Sequence, residues 1–232
     1  MEIKEGDESM RKIAVCNQKG GAGKTSTAWA ITTGAAIRGK KALAIDFDPQ
    51  GSLTYVMNAD PANLNIQHTD TGDILPASLS LVNLEDTGLL ERIVSPLRGR
   101  YDLIVIDTPP TMGKAQIAAL RACNEVLIPT QPDSLCLQGL YLIRAAIREV
   151  NPHVDILGAF FARYKGRTAL ARDLGQAIRA KCAEMGIPFL DTPIRDGIAL
   201  QEAQFMHEPI YTYSPRSNPA RDYNALLDAI NI

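Results

Sequence analysis

Cysteine is scarce and scattered. The four residues Cys16, Cys123, Cys136 and Cys182 form no C-x-x-C pair and have no histidine at metal-ligand spacing. That pattern excludes a disulfide framework and a zinc module and leaves reduced core thiols, with Cys16 inside a run that reads as a buried strand. Long apolar runs are also missing: none approaches the ~20 residues that a membrane span needs. The first dozen residues are polar and acidic, unlike a secretory leader. A soluble, cytoplasmic protein is therefore expected, with Met1 and Met10 both open as the start. An excess of one charge is absent as well. The 24 Lys and Arg against 26 Asp and Glu give a net charge of -2, which excludes nucleic-acid binding by overall charge. A local basic face stays possible, because only charge within a Debye length of the contact matters. There is no internal repeat, low-complexity tract or linker. At 232 residues and 46% hydrophobic, the chain suits a single domain over 1–232, with 1–11 a flexible N-terminal extension.

What is present is an alternation of short apolar runs and longer helical patterns, as repeated βα units require. Strands are expected at 13–17, 42–46, 103–107, 125–129 and 156–161, with weaker ones near 73–75 and 188–190. Most lack polar alternation, so they read as buried on both faces. The fold class that follows is α/β, a mostly parallel twisted sheet with helices on both faces. Helices are expected at 25–38, closed by Gly39, and at 137–150, 172–185 and 220–230. Residues 54–80 read as loop with short pieces of structure.

The segment Lys19-Gly20-Gly21-Ala22-Gly23-Lys24-Thr25-Ser26 follows a strand and opens a helix, the context that marks a P-loop. Its glycines let backbone N–H groups face phosphate oxygens, and the helix N-terminus adds its dipole. Lys24 is placed to contact the β- and γ-phosphates, and Thr25 to offer a hydroxyl to Mg²⁺. The usual spacing would put glycine where this chain has Gln18; instead an extra lysine, Lys19, opens the loop.

Two carboxylate motifs accompany it. Asp46-Phe47-Asp48-Pro49-Gln50-Gly51 ends the second strand, and in a parallel sheet that edge faces the ligand crevice. Asp46 and Asp48 lie on one side of an extended chain, so both can point toward phosphates. The apolar strand running into Asp107-Thr108-Pro109-Pro110 has the Walker B pattern, which makes Asp107 a Mg²⁺ ligand acting through water.

These motifs resemble the deviant Walker A ATPases and, within them, the ParA/Soj group. Further matches lie in Glu125-Val126-Leu127-Ile128-Pro129, in Ile194-Arg195-Asp196 with Gln201-Glu202-Ala203, and in Tyr213-Ser214-Pro215-Arg216-Ser217 through Ala220. The likeness covers 11–230. It implies a Mg²⁺-dependent ATPase that dimerises around ATP. Lys19 would cross to the partner's phosphates, much as an arginine finger supplies a cation in trans. Lys24 and Asp48 would complete the catalytic set, Asp48 positioning the attacking water. Asp46 supports the loop and joins Thr25 and Asp107 around the metal. Arg163 would border the adenine base, with the loop at Pro215 closing over it. Partners implied are a second copy, non-specific DNA when ATP is bound, a ParB-like centromere-binding protein, and no membrane.

For DNA, Arg163, Lys165, Arg167, Arg172, Arg179 and Lys181 stand against one acid, Asp173, with Arg195 and Arg216 or Arg221 extending the face. The same run reads equally well as a solvated helix exterior, and only the resemblance favours DNA. Too few residues precede the first strand for a helix-turn-helix domain, which suggests the short form of the group. The related MinD proteins end in a basic amphipathic helix. Here the last helix carries Arg221 and Asp228 with no lysine cluster, so membrane binding by that device is not expected. Rival readings are the same switch positioning a chemosensory array or another assembly, and an electron-transfer ATPase resembling the nitrogenase iron protein. The second needs paired cysteines bridging a dimer, and Cys123 and Cys136 fall at helix ends away from that context. Iron–sulfur scaffold ATPases fail for want of a C-x-C or C-x-x-C motif, and a synthetase lacks a recognisable substrate pocket.

Overall fold

A computed structural model describes residues 10–133, 136–165 and 169–232, apart from the side chains of 169–172. Residues 1–9 of the expected extension lie outside that range. Met10 is buried and Arg11 already belongs to the first strand, so the extension ends sooner than the sequence suggests.

The elements follow one another as β1 (Arg11–Val15), α1 (Lys24–Ile37), β2 (Ala42–Asp46), α2 (Ser52–Val56), β3 (Gln67–Thr69) and β4 (Gly72–Leu75). After a 3-10 turn come α3 (Leu89–Val94), β5 (Leu103–Asp107), α4 (Lys114–Ala122), β6 (Glu125–Thr130), α5 (Cys136–Val150) and β7 (Asp155–Phe161). The chain ends with α6 (Ala169–Met185), α7 (Ile198–Phe205), α8 (Ile210–Tyr213) and α9 (Asn218–Ala229). Seven strands form one sheet in the order β3-β4-β2-β5-β1-β6-β7. Every pairing is parallel except β3 with β4.

The apolar runs are fully buried because helices cover both faces. Along β5, Ile104 and Ile106 join one core with Leu90, Leu120, Leu140 and Ile178 from α3 to α6. Leu103 and Val105 point the other way, into a core with Trp29, Leu53, Tyr223 and Leu226 from α1, α2 and α9. That alternation is the period of two that an extended chain imposes. The chain leaves β1 toward β2 on one side and later passes β1 to reach β6 on the other, so a crevice opens at the carboxyl end of β1. Register sharpens it: Val15 pairs with Asp107 and Asp46 with Asp107, which brings three strand ends level.

Residues 54–80 are loop carrying the end of α2 and the short strands β3 and β4, as expected. One expectation needs correction. Residues 188–190 make only an isolated bridge, Phe189 with Ala159, because β7 already has β6 on one side and the crossing chain touches it briefly.

Gly34, midway along α1, marks where that helix meets α8 and α9. A Cβ there would sit 2.5 Å from Leu227 Cδ1 and 2.8 Å from the Tyr211 hydroxyl. The Tyr211 hydroxyl is fixed, donating to the Ala30 carbonyl at 3.0 Å. Gly34→Ala, which stabilises an ordinary helix by ~1 kcal/mol, is expected here to destabilise by about 1–3 kcal/mol through overpacking. Thermal denaturation should show a lower Tm; an unchanged or higher Tm would mean that α9 yields freely.

Candidate nucleotide site

The loop after β1 is anchored before it turns. Asn17 Nδ2 donates to the Pro129 carbonyl at 2.6 Å, while Asn17 Oδ1 accepts from the Lys19 N–H at 2.8 Å. Gly23 then caps α1 with φ 92°, and its carbonyl receives the Thr27 N–H at 2.9 Å. A Cβ on Gly23 would lie 3.1 Å from Ala162 Cβ. Backbone conformation and space together require glycine. Lys24 is buried and donates to the Lys19 carbonyl at 3.2 Å across the loop. Burial pulls its pKa down, while the charges of Asp107 and Asp48 act the other way.

Three buried carboxylates lie at this edge of the sheet, and two of them, Asp107 and Asp48, act on this lysine. Asp46 is committed locally: one oxygen accepts from both the Thr54 N–H and hydroxyl at 2.7 Å, the other from the Asp48 N–H at 3.3 Å. Burial raises its pKa, and the Thr54 hydrogen bonds oppose the rise. Asp48 accepts from the Gln50 N–H at 3.0 Å and lines the cleft. Asp107 differs from both. It is fully buried, and neither oxygen has a hydrogen-bond partner among the described residues. Burial, then the charge of Asp46, pushes its pKa up to about 8, against the pull of the Thr25 hydroxyl and Lys24. Two orphaned buried oxygens beside a threonine hydroxyl suit a hydrated divalent cation, so the residues present fit Mg²⁺ at Thr25 and Asp107.

Above the loop lies a cleft of about 500 Å³ lined by Gly20, Gly21, Gly23, Lys24, Thr25, Ser26, Asp48 and Arg163, with Ile194 to Gly197, Gln201, Gln204 and Tyr223 closing the far side. Its size matches ordinary small-ligand sites. Ala22 is fully buried beneath the loop. Gln204 Nε2 donates to Ser26 Oγ at 2.9 Å, joining α7 to the start of α1. Gln204 and Tyr223 escaped the sequence reading; no local motif marks them, since they arrive from α7 and α9. Pro215 is not among the lining residues and sits in the turn between α8 and α9. Lys19 also stays outside this cleft: its ammonium donates to Gln131 Oε1 at 2.9 Å and pairs with Asp133.

The basic residues expected on a DNA face are dispersed. Arg195 forks Asp222, with contacts of 2.6 and 2.9 Å, at the rim of the cleft. The Arg179 guanidinium lies over Phe161 and Phe189, 5.2 Å from each ring centre, and pairs with Asp191 at 3.1 Å. Arg216 is exposed and makes no ion pair with another described residue. Arg172 is in α6, its side chain outside the description, and Arg167 lies outside the described residues. All four cysteines are buried and unbridged, and no cluster of three or more potential metal-ligating side chains exists among the described residues.

Residues 13–210 match the family model described as the CobQ/CobB/MinD/ParA nucleotide binding domain. The chain is 31% identical to the chromosome-partitioning ATPase Soj of Thermus thermophilus, over 95% of each chain. It is 32% identical to the Soj of Treponema pallidum, over 95% of this chain and 96% of that protein. Among solved structures, the cobyrinic acid a,c-diamide synthase of Mycobacterium smegmatis with bound ADP and magnesium is 28% identical, with TM-score 0.80, over 96% of this chain and 94% of that one.

The raised pKa of Asp107 has a measurable consequence. A carboxyl with a folded pKa of about 8 favours folding while it keeps its proton. That contribution is complete below about pH 4, where the unfolded group is also protonated, and is lost as pH rises through the folded value. In chelator at pH 8, Asp107→Asn should therefore melt several degrees above the parent, and the gap should narrow toward pH 5. A gap independent of pH would remove Asp107 as its source.

Proposed function

This chain belongs to the CobQ/CobB/MinD/ParA nucleotide-binding family, and from that premise we propose that it is a partition ATPase whose ATP-bound dimer binds DNA without sequence preference. Its chemistry is that of a ParA-family ATPase, the hydrolysis of ATP to ADP and phosphate. Mg²⁺, when bound, would supply positive charge against the charge that develops on transfer. Thr25 and Asp107 would hold the ion, while Asp46 keeps α2 and the Asp48 loop in place. Lys24 and the amides of Gly20 to Gly23 take the phosphates. Asp48, buried at the cleft, orients the attacking water.

One observation carries the dimer: Lys19 does not line the cleft of its own chain. Its ammonium rests on Gln131 and Asp133 beside the loop. Leaving that acid for a partner's phosphates replaces one ion pair by a more highly charged one, so ATP joins two chains. Hydrolysis removes the γ-phosphate and weakens the joint. A cytoplasmic protein of this kind would associate with the nucleoid while ATP is bound, and a centromere-binding protein of the ParB type would set its turnover. Among the described residues no helix is long and apolar enough to cross a membrane. Positioning of a chemosensory array or other assembly would use the same switch on another cargo.

DNA binding measured with ATP, ADP and no nucleotide across a salt series tests this reading. Binding is expected with ATP alone and is expected to be lost in Lys19→Ala. Arg216→Ala should weaken it and lower the salt slope by about 1, the loss of one phosphate contact. Nucleotide-independent or salt-insensitive binding would overturn the switch. Asp48→Ala should accumulate as an ATP-bound dimer in light scattering; rapid turnover in that variant would take Asp48 out of its role.

A further inference from the structure

Arg163 occupies a position that base recognition does not explain. It is one of four described non-glycine residues with positive φ, at 51°. The backbone on either side is pinned, the Ala162 N–H donating to the Thr130 carbonyl and the Tyr164 N–H to the Ile194 carbonyl, both at 2.8 Å. A side chain held in the left-handed region by its neighbours is a conformation the rest of the fold imposes. Its effect is directional. The guanidinium is carried across the P-loop, where Arg163 Nη1 would lie 3.7 Å from a Cβ on Gly21. That is the phosphate-binding stretch of the cleft.

The charges around it are unbalanced. Arg163 lines the main cleft and also a second hollow of about 390 Å³ that it shares with Lys19, Lys165, Gln131 and Asp133. Three cations meet there, and their described carboxylate partners are Asp133 and Asp196. Like charges this close favour an incoming anion. Arg163 is also the cation most easily released. It reaches Asp196 only at 3.6 Å, whereas Lys165 holds the same carboxylate at 3.1 Å. If the guanidinium leaves, Asp196 keeps a counter-ion.

We propose that Arg163 is a second cation supplied in cis to the nucleotide's phosphates, with Asp196 as its resting partner. It acts beside Lys24, on the opposite wall of the loop from the buried carboxylates. Its planar fork suits two phosphate oxygens at once. The assignment concerns nucleotide binding by one chain and stands independently of DNA or dimerisation.

Equilibrium titration of the full chain with ATP and ADP in Mg²⁺, and with adenosine by competition, separates the phosphate from the base. Arg163→Ala is expected to weaken ATP and ADP about tenfold, the scale of one charge-assisted hydrogen bond, and adenosine less than about twofold. Arg163→Lys, which restores the charge, should bind ATP several times more tightly than the alanine variant. Retained adenosine binding also reports an intact fold. Equal loss for all three ligands would place Arg163 at the base and overturn the proposal. Unchanged ATP affinity in Arg163→Ala would overturn it as well.

Discussion

Three carboxylates and one lysine are held out of water at the carboxyl edge of adjacent strands, and the rest of the site is arranged around that imbalance. The register of β2, β5 and β1 brings Asp46 and Asp107 level, and the loop after β1 sets Lys24 opposite them. Burying several like charges is costly unless each finds a partner. Asp46 finds one in Thr54 and Asp48 in the Gln50 amide, while Asp107, with no hydrogen-bond partner placed among the described residues, has only the nearby Thr25 hydroxyl and the charge of Lys24. The fold therefore stores a site that is incomplete without cations. The arrangement also reaches outward. The Thr54 hydroxyl that donates to Asp46 accepts the Ala77 N–H at 2.9 Å, so a shift at the carboxylate is felt beyond β4.

The positive side follows a complementary logic. Lys24 is buried and permanently aimed, whereas Lys19 and Arg163 rest on acids beside the loop. A cation with a local counter-ion costs little to keep near the site and can be exchanged when a triphosphate brings more charge. This divides the work between binding, which one chain performs, and completion, which the proposed dimer performs through Lys19. The same arrangement explains why an idle site does not repel its own lysines: each has an acid until the phosphates arrive.

The legible parts of the sequence were those in which local pattern and burial coincide. Runs such as Leu103 to Asp107 are apolar at every position before the terminal acid because both sheet faces are covered, and the P-loop glycines answer a backbone demand that only local sequence can meet. Gly39 likewise closes α1 with φ 83° and donates its N–H to the Ala36 carbonyl at 3.0 Å. What stayed hidden was tertiary. β3 has three residues and pairs only with β4, too little for a periodic signal. α4 is rich in alanine, with a buried glutamine at its start, so its apolar face is weakly marked. The cleft's far wall includes Gln204 and Tyr223, from segments whose composition says nothing of a ligand. The pairing of Arg195 with Asp222 spans 27 positions and leaves no local trace.

That pairing bears on how a chain with net charge -2 could hold DNA. Counting arginines along 163–181 overstates the cationic surface, because a guanidinium already forked by a carboxylate must surrender it before neutralising a phosphate. Arg195 and Arg179 are committed in this way, while Arg216 is not. A face with few uncommitted cations binds weakly, since the logarithm of affinity scales with the number of phosphates neutralised. Two such faces on one dimer double that number, and affinity grows as the product of the two contributions rather than their sum. In the proposed switch, weakness in the single chain is what gives ATP-driven pairing its effect. If one protomer carried enough free charge to hold DNA by itself, ATP-driven pairing would have nothing left to control.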